Sequence, residues 1–406
     1  MKRSGKVILA KGHTPVVDEA IAPSCLSSGL SEGSHCGVCN VVIVAQTVLP
    51  RLGHDYVYSN TSKDNHTGVC SRCGRTQEKP HEFENGSCFC GATEGAAVDE
   101  SIRISHTLNL ASDISINFAV SVTALAQYDS YYLECALPKY EGNQLLGTEI
   151  LKLEPVKNGA YYYFTLTGIT AVQMGDMVEA VLHMSKDGVE YVSKTDSYSV
   201  STYAYSMMKQ SKNEDMLTLC ADLLRYGAEA QLFKGYRTDA LVDEALTSEQ
   251  RAYLSNTEAL EFSATDKLKS DLSNPKIRFV GKSLDLGSKI GIKYIFEASA
   301  YTGDVTKLSM KIRYEDCTGE ILDVILTEPE VYDASKGYYS FSFYGLLAAE
   351  MRTVLDVAVC AGETQLSQTL SYSAQTYASK HTGDALAPLC KALFAYSDSA
   401  SRYFAS

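Results

Sequence analysis

The sequence contains no tryptophan, although it has 27 tyrosines. Sugar-binding platforms generally use flat aromatic faces, and tyrosine can take that role. Most of these tyrosines fall on segments that recur in a later part of the chain, at positions predicted to lie on strands or helices. We therefore expect most of them to pack within sheets and cores rather than to form a binding surface.

Long apolar runs are also missing. No stretch approaches the roughly 18 apolar residues that a membrane-spanning helix needs. Residues 1–11 have a basic end and only four apolar residues before the next charge, which is too short for the hydrophobic region of a signal peptide. Two interpretations stay open: the protein is cytosolic, or Met1 is not the natural start of a longer exported chain.

Positive charge is scarce in most of the chain. Of the 36 basic and 49 acidic residues, nine of each lie at or before Val98, so residues 99–406 carry the whole net charge of −13. An acidic body without a basic stripe is repelled by phosphate backbones. This argues against a zinc-dependent regulator that binds nucleic acid, although the N-terminal cysteines look like those of a zinc finger.

Short catalytic motifs are absent too. We find no G-x-S-x-G, no H-E-x-x-H, no phosphate-binding loop and no Ser/His/Asp order. Paired carboxylates such as Asp243–Glu244 lie on predicted loops or helix ends, where solvated charge explains them. We expect no enzyme activity, but a polysaccharide or peptidoglycan hydrolase stays open because glycosidase carboxylates leave no short signature.

What the sequence does have is a dense group of metal-ligand residue types near its start. Seven of the 12 cysteines and five of the 8 histidines lie at or before Cys90. Two C-x-x-C pairs occur, Cys36–Cys39 and Cys70–Cys73, and such a pair can direct two thiolates at one ion. Gly-His occurs at Gly12-His13 and Gly53-His54, each opening a unit that then delivers a C-x-x-C pair.

These spacings predict structural zinc sites in a tandem of zinc-ribbon-like knots. The candidate ligands are Cys25, Cys36, Cys39 and His54 for a first site, and His66, Cys70, Cys73 and His81 for a second site. Cys88 and Cys90 belong either to the second site or to a third, and His13 and His35 are alternates.

Disulfides and a catalytic metal are the two alternatives to structural zinc. A disulfide framework is disfavoured by the odd count of seven cysteines and by the neighbouring histidines. A catalytic metal would need an open position and a pocket wall, which units of this size do not offer.

Residues 102–406 contain an internal duplication. Leu108-Asn109-Leu110-Ala111-Ser112-Asp113 is echoed by Leu284-Asp285-Leu286-Gly287-Ser288-Lys289, and later segments match at offsets between 170 and 177 residues. Each copy has period-two segments and then one amphipathic helix, near Asp215 to Phe233 in the first copy.

The predicted fold class is mainly β with helices (α+β). The expected domains are a zinc-ribbon-like region at 1–98, a β-sandwich module closed by a helix at 99–238, a helical connector at 239–272, and a second such module at 273–406.

Two parts of the chain resemble known repeats. Gly12 to Asp18, Pro23 to Cys25, Gly29 to Cys36 and Gln46 to His54 resemble zinc-ribbon-like repeats of large secreted or wall-attached proteins of Gram-positive gut anaerobes. Leu108 to Asp113, Tyr226 to Gln231 and Lys391 to Ala400 resemble β-rich modules of the same proteins. The C-x-C pair Cys88-Phe89-Cys90 departs from the usual C-x-x-C, which leaves a third site open.

The resemblance implies an extracellular or cell-surface setting and carries over no activity. Together with the motifs, it leads us to expect a non-catalytic structural or adhesive segment of a bacterial surface protein. The zinc knots would be stiff spacers, and the β modules would contact a glycan or a host protein. Oligomeric state is left open.

Overall fold

The computed structural model describes residues 12–60, 65–84, 86–92, 96–110, 114–187, 189–286 and 290–405. The chain divides into two compact units, Met1–Glu94 and Gly95–Ser406. The expected start segment 1–11 and the echoed residues 111–113 and 287–289 lie outside the described residues. No helix in the described ranges is long and apolar enough to span a membrane.

The N-terminal unit is built from short antiparallel strands. The strands are β1 (Pro15–Asp18), β2 (Gly29–Leu30), β3 (Gly33–Cys36), β4 (Val42–Val44), β5 (Val48–Leu49), β6 (Tyr56–Asn60), β7 (Asn65–Cys70) and β8 (Thr76–Pro80). They form the sheets β1-β3-β4, β2-β5 and β6-β7-β8. Sheets this small bury too little apolar surface to be stable alone.

Cysteines take the place of a hydrophobic core in this unit. Its buried apolar residues, among those the structure describes, are Cys25, Cys36, Cys70, Cys88, Cys90 and Ala92. All of these except Ala92 are candidate metal ligands. Since a domain below about 100 residues gains little from burial, another source of folding energy is needed here.

The first β module lies in the C-terminal unit. Its strands are β9 (Ala97–Val98), β10 (Ser105–Asn109), β11 (Ser115–Ser121), β12 (Ser130–Glu141), β13 (Gln144–Leu153), β14 (Val156–Asn158), β15 (Tyr161–Leu166), β16 (Val178–Lys186), β17 (Val189–Val192) and β18 (Asp196–Tyr198), with helix α1 (Val122–Leu125) after β11. One sheet has the order β10-β11-β15-β14, and the other has the order β13-β12-β16-β17-β9 with β18 beside β16. Phe118 and Phe164 of the first sheet and Leu133 and Leu182 of the second are fully buried, which makes a sandwich-like core.

Three helices follow the first module. They are α2 (Val200–Gln210), α3 (Glu214–Lys234) and α4 (Ser248–Arg251). Asn213 caps α3 by accepting a hydrogen bond from the Met216 amide, and Gly235 ends it in the left-handed conformation. These are the preferred residue types at the two ends of a helix.

The second β module has a matching strand order. Its elements are β19 (Asp266–Leu268), β20 (Arg278–Leu286), β21 (Ile290–Glu297), β22 (Leu308–Glu315), β23 (Ile321–Thr327), β24 (Glu330–Asp333), β25 (Tyr338–Phe343), β26 (Leu355–Ala361), β27 (Thr364–Gln365), β28 (Leu370–Tyr372), α5 (Ala374–Lys380) and α6 (Ala387–Ala405). Its sheets are β20-β21-β25-β24 and β19-β28-β26-β22-β23, with β27 beside β26.

The long helices α3 and α6 hold the two modules together. They pack against each other, and the buried rings of Tyr226 and Tyr396 stack with their centroids 5.9 Å apart. The cores of both modules join into one continuous apolar cluster. The two modules are therefore parts of a single compact unit.

The predicted fold class, mainly β with helices, is confirmed, and α3 covers the helix expected near Asp215 to Phe233. Three details differ. A further helix precedes each long helix: α2 lies before α3, and α5 lies before α6. The connector is only partly helical, because β19 joins the second module's sheet by pairing with β28. The N-terminal unit ends at Glu94 rather than Val98, because β9 pairs with β17.

Candidate metal centres

The structure gathers cysteine and histidine side chains of the N-terminal unit into three groups. The groups are Cys25, His54, Cys70 and Cys73; His66, His81, Cys88 and Cys90; and His13, Cys36 and Cys39. Within each group, the ligand atoms all lie within 4.8 Å of one another. Each group could hold a metal ion, and we call them the central, distal and proximal sites in that order.

The central site combines residues from two loops with the end of β7 and the turn that follows it. The Cys25 and Cys70 Sγ atoms are 3.8 Å apart, and His54 Nδ1 is 3.3 Å from Cys73 Sγ. The loop after β7 turns tightly because the Gly74 amide donates to the Cys70 carbonyl, and Gly74 has a φ of 70°. Glycine adopts this left-handed conformation at little cost, so the turn brings both cysteines of the pair to one point.

The distal site is the most buried of the three. His66 on β7 places Nδ1 3.5 Å from Cys88 Sγ, and His81 places Nδ1 3.3 Å from Cys90 Sγ. The C-x-C pair closes with a turn one residue shorter than that of the longer pairs: the Gly91 amide donates to the Cys88 carbonyl three residues back, with Gly91 at a φ of 84°. The shorter spacing is therefore compatible with a site of its own.

The proximal site has three side chains. His13 Nδ1 lies 3.5 Å from Cys39 Sγ, and the Asn40 amide donates to the Cys36 carbonyl with Asn40 at a φ of 58°. The alternate ligand His35 lies outside the groups found among the described residues, since its Nδ1 is 2.6 Å from Asp18 Oδ1.

The pKa values of the thiols follow their local partners. Backbone amides of Val38 and Cys39 lower the pKa of Cys36 to about 6. Burial raises the pKa of Cys70, but hydrogen bonds from His54 and nearby amides outweigh it and lower the pKa to about 6. Such thiols ionise readily and are ready to bind a cation.

The pKa values of two other thiols, those of Cys25 and Cys90, are raised instead. Burial, then the neighbouring Cys73 and Cys70, raise the pKa of Cys25 to about 11. Burial, reinforced by Cys88, raises the pKa of Cys90 to about 12. Several thiolates can share one small space only if a cation balances their charge. Burial, together with the positive neighbours His81 and Lys79, lowers the pKa of His66, which favours the neutral imidazole that a metal requires.

The grouping differs from the one expected from sequence order. The structure joins Cys25 and His54 to Cys70 and Cys73, whereas we expected Cys36 and Cys39 as their partners. It joins His66 and His81 to Cys88 and Cys90, so the C-x-C pair has its own site. The reason is that each Gly-His histidine folds onto the cysteine pair that follows it. The recurrence of Gly-His was the signal in the sequence that could have indicated this grouping. Both glycines have a positive φ, 54° for Gly12 and 70° for Gly53.

The ligands of successive sites interlock along the chain. In each four-residue site, one leading ligand comes first, then a histidine, and then the cysteine pair. The leading ligand Cys25 lies between His13 and Cys36 of the proximal site, and the leading ligand His66 lies between His54 and Cys70 of the central site. Each bound ion would thus tie together two consecutive stretches of chain.

None of the twelve cysteines, all of which lie in described ranges, forms a disulfide. The 3.8 Å between the Cys25 and Cys70 sulfurs is well above the roughly 2.05 Å of an S–S bond. Cys220 and Cys390 are buried on α3 and α6, and burial raises the pKa of Cys220 to about 12, so both are packing residues, as expected.

Buried carboxylates of the C-terminal unit mostly serve its structure. Asp222 is fully buried and accepts hydrogen bonds from Arg225 at 2.6 Å and from the Ser255 hydroxyl at 2.6 Å. Glu350 accepts from the backbone amides of Cys317 and Leu347. These contacts tie α3 to the connector and one loop to another, so they need no catalytic role.

The second module carries a polar groove on its larger sheet. The groove encloses about 610 Å³, and its lining includes Lys269, Lys311, Arg313, Asp323 and Asp356. Lys269 and Asp356 pair at 2.6 Å, and Arg313 and Asp323 pair at 2.8 Å. Sequence reasoning did not identify this groove, because residues that are far apart in sequence line it.

Comparison of the sequence with protein-family models and with curated proteins gives no match.

Proposed function

We propose that the N-terminal unit is a structural zinc module in which Zn²⁺ ions supply the folding energy. The spacing of the ligand atoms carries this proposal. Tetrahedral Zn²⁺, with bonds of about 2.3 Å to sulfur and about 2.0–2.1 Å to nitrogen, sets ligands about 3.8 Å apart for two sulfurs and about 3.6 Å apart for sulfur and nitrogen. The separations in the structure are 3.8 Å between sulfurs and 3.3–3.5 Å between sulfur and nitrogen.

The donor types support zinc over other cations. Thiolate and imidazole ligands suit Zn²⁺, whereas Mg²⁺ and Ca²⁺ prefer oxygen donors. The central site offers three sulfurs and one nitrogen, and the distal site offers two of each. Both sets are typical of closed structural sites. A unit whose core consists almost entirely of ligands depends on its metal to fold.

Metal removal tests this proposal. Protein purified without chelator is treated with a strong chelator while thiol reactivity and proteolysis are followed. We expect the N-terminal thiols to become reactive and that unit to become protease-sensitive, while the unit Gly95–Ser406 stays folded on its own apolar core. An N-terminal unit that keeps its protection after its metal is removed would contradict the proposal.

We further propose that the whole chain is a non-catalytic structural or adhesive segment of a bacterial secreted or cell-surface protein. The zinc module acts as a stiff spacer, and the paired β modules contact a glycan or a surface protein. The support is the resemblance of both regions to surface-protein repeats and the polar groove around Lys311 and Asp323, whose size suits a small saccharide. A glycan array and pull-downs that find no ligand would remove the adhesive part.

A hydrolase is the second candidate, favoured by one observation. Burial raises the pKa of Glu179 on β16 to about 8, against a hydrogen bond from Ser197 that lowers it. A carboxyl group that stays protonated near neutral pH resembles a general acid. Turnover of a polysaccharide or peptidoglycan substrate, lost in Glu179→Gln but kept in Glu134→Gln, would establish this alternative.

A further inference from the structure

The proximal site is one ligand short of the pattern that the other two sites share. The central and distal sites each begin with a leading ligand, Cys25 or His66, that precedes their histidine in the chain. The proximal site begins directly with His13. No further Cys, His, Asp or Glu among the described residues joins it, and residues 1–12 contain none of these types.

The exposure of the proximal site also distinguishes it. His13 and Cys39 are exposed, whereas three of the four distal ligands are buried. Nearby valines lie open to solvent: Val38 is 84 % exposed, and Val42 and Val44 of β4 are 63 % and 54 % exposed. A sheet that carries such apolar side chains next to a metal site is typical of a surface that another segment covers.

We propose that His13, Cys36 and Cys39 form an open zinc site whose fourth position takes a cysteine thiolate from a peptide segment resembling the one around Cys25. We expect a thiolate as the fourth ligand because the proximal site contains a C-x-x-C pair. The C-x-x-C pair of the central site has a cysteine, Cys25, as its leading ligand. A histidine is the leading ligand only beside the C-x-C pair of the distal site. Zinc with three protein ligands keeps one exchangeable position. The inference rests on the proposed zinc module.

The same arrangement would let such modules join end to end. A segment with a leading cysteine would bind the proximal site as Cys25 binds the central site, and its apolar residues would cover the valines of β4. The expected ligand class is therefore a cysteine-containing peptide, and simple thiols are weaker substitutes.

Cobalt substitution of the full chain tests the proposal, because Co²⁺ bound to thiolates absorbs visible light and Zn²⁺ is silent. The probe is a synthetic peptide with the sequence of residues 19–30, and its matched control carries serine in place of Cys25. We expect one of the three Co²⁺ centres to gain a thiolate from the probe, with at least about tenfold weaker binding of the serine peptide. His13→Ala should abolish the response.

The Cys25→Ser chain is the positive control. It opens the central site as well, so two centres should respond to the probe. Three bound ions with no spectral response in the unmodified chain would overturn the proposal, as would binding of only two ions. Failure of the zinc module itself looks different, because the central and distal sites would then bind no ion either.

Discussion

Two double substitutions distinguish the interlocked grouping from the grouping that sequence order suggests. Cys25 and Cys70 belong to one site in the structure, whereas Cys25 and Cys36 belong to two different sites. Under a chelator that strips every site with fewer than four ligands, the unmodified chain should keep the central and distal ions. Cys25→Ser with Cys70→Ser should keep one ion, because both changes fall on the central site, whereas the grouping from sequence order would lose both four-ligand sites. Cys25→Ser with Cys36→Ser should keep one ion in either grouping and is the comparison.

The size of the effect follows from the metal's contribution to folding. Structural Zn²⁺ binds zinc-finger peptides with about 10–16 kcal/mol, so each of four ligands accounts for about 3 kcal/mol. Loss of one ligand should therefore weaken a site about 100-fold. A competing chelator of intermediate affinity then strips every site with fewer than four ligands, which includes the three-ligand proximal site, and leaves the intact four-ligand sites loaded.

The assay is the number of ions retained per chain after equilibration with that chelator. His35→Gln is the matched control, since His35 adjoins Cys36 in sequence but pairs with Asp18, and it should retain both four-ligand ions. If the Cys25/Cys70 pair retains no ion, the interlocked grouping is refuted.

Three further predictions concern single residues. Asp222→Ala leaves the Arg225 guanidinium without its buried partner. It should lower the free energy of unfolding, measured by chemical denaturation, by about 3–5 kcal/mol. The surface change Asp215→Ala should alter that free energy by less than about 1 kcal/mol. Burial raises the folded-state pKa of Glu179 to about 8 from an ordinary 4.5. The contribution of this carboxyl group to stability is therefore fully present below pH 4.5 and is lost as the pH rises from there through 8. Denaturation at a series of pH values should show this loss, and Glu179→Gln should remove it. Gly74→Ala forces a side chain into a φ of 70° and should cost about 1 kcal/mol, seen as roughly fivefold weaker metal binding at the central site only.

Sequence patterns predicted the residue types of the metal sites and the main helices and strands. The C-x-x-C pairs and α3 are local features, with ligands or apolar residues at fixed short spacing. The period-two segment 178–183 lies within β16, and the capping box at Thr247 does cap α4. Each of these depends on neighbours within a few residues, which a sequence displays directly.

Long-range relations were beyond sequence reasoning. Cys25 is 45 residues from Cys70, and nothing in their spacing says which cysteine pair receives which leading ligand. Helix α2 was missed because its first four residues, Val200 to Tyr203, are weak helix formers. Its packing on α3 is a tertiary contact that local sequence patterns do not show.

Elemental analysis combined with X-ray absorption at the zinc edge tests the zinc module itself. We expect three Zn²⁺ per chain, bound by seven sulfurs and four imidazoles from the chain, because the three groups contain seven cysteines and four histidines. Chain free of metal, with the N-terminal thiols oxidised to disulfides, would contradict it.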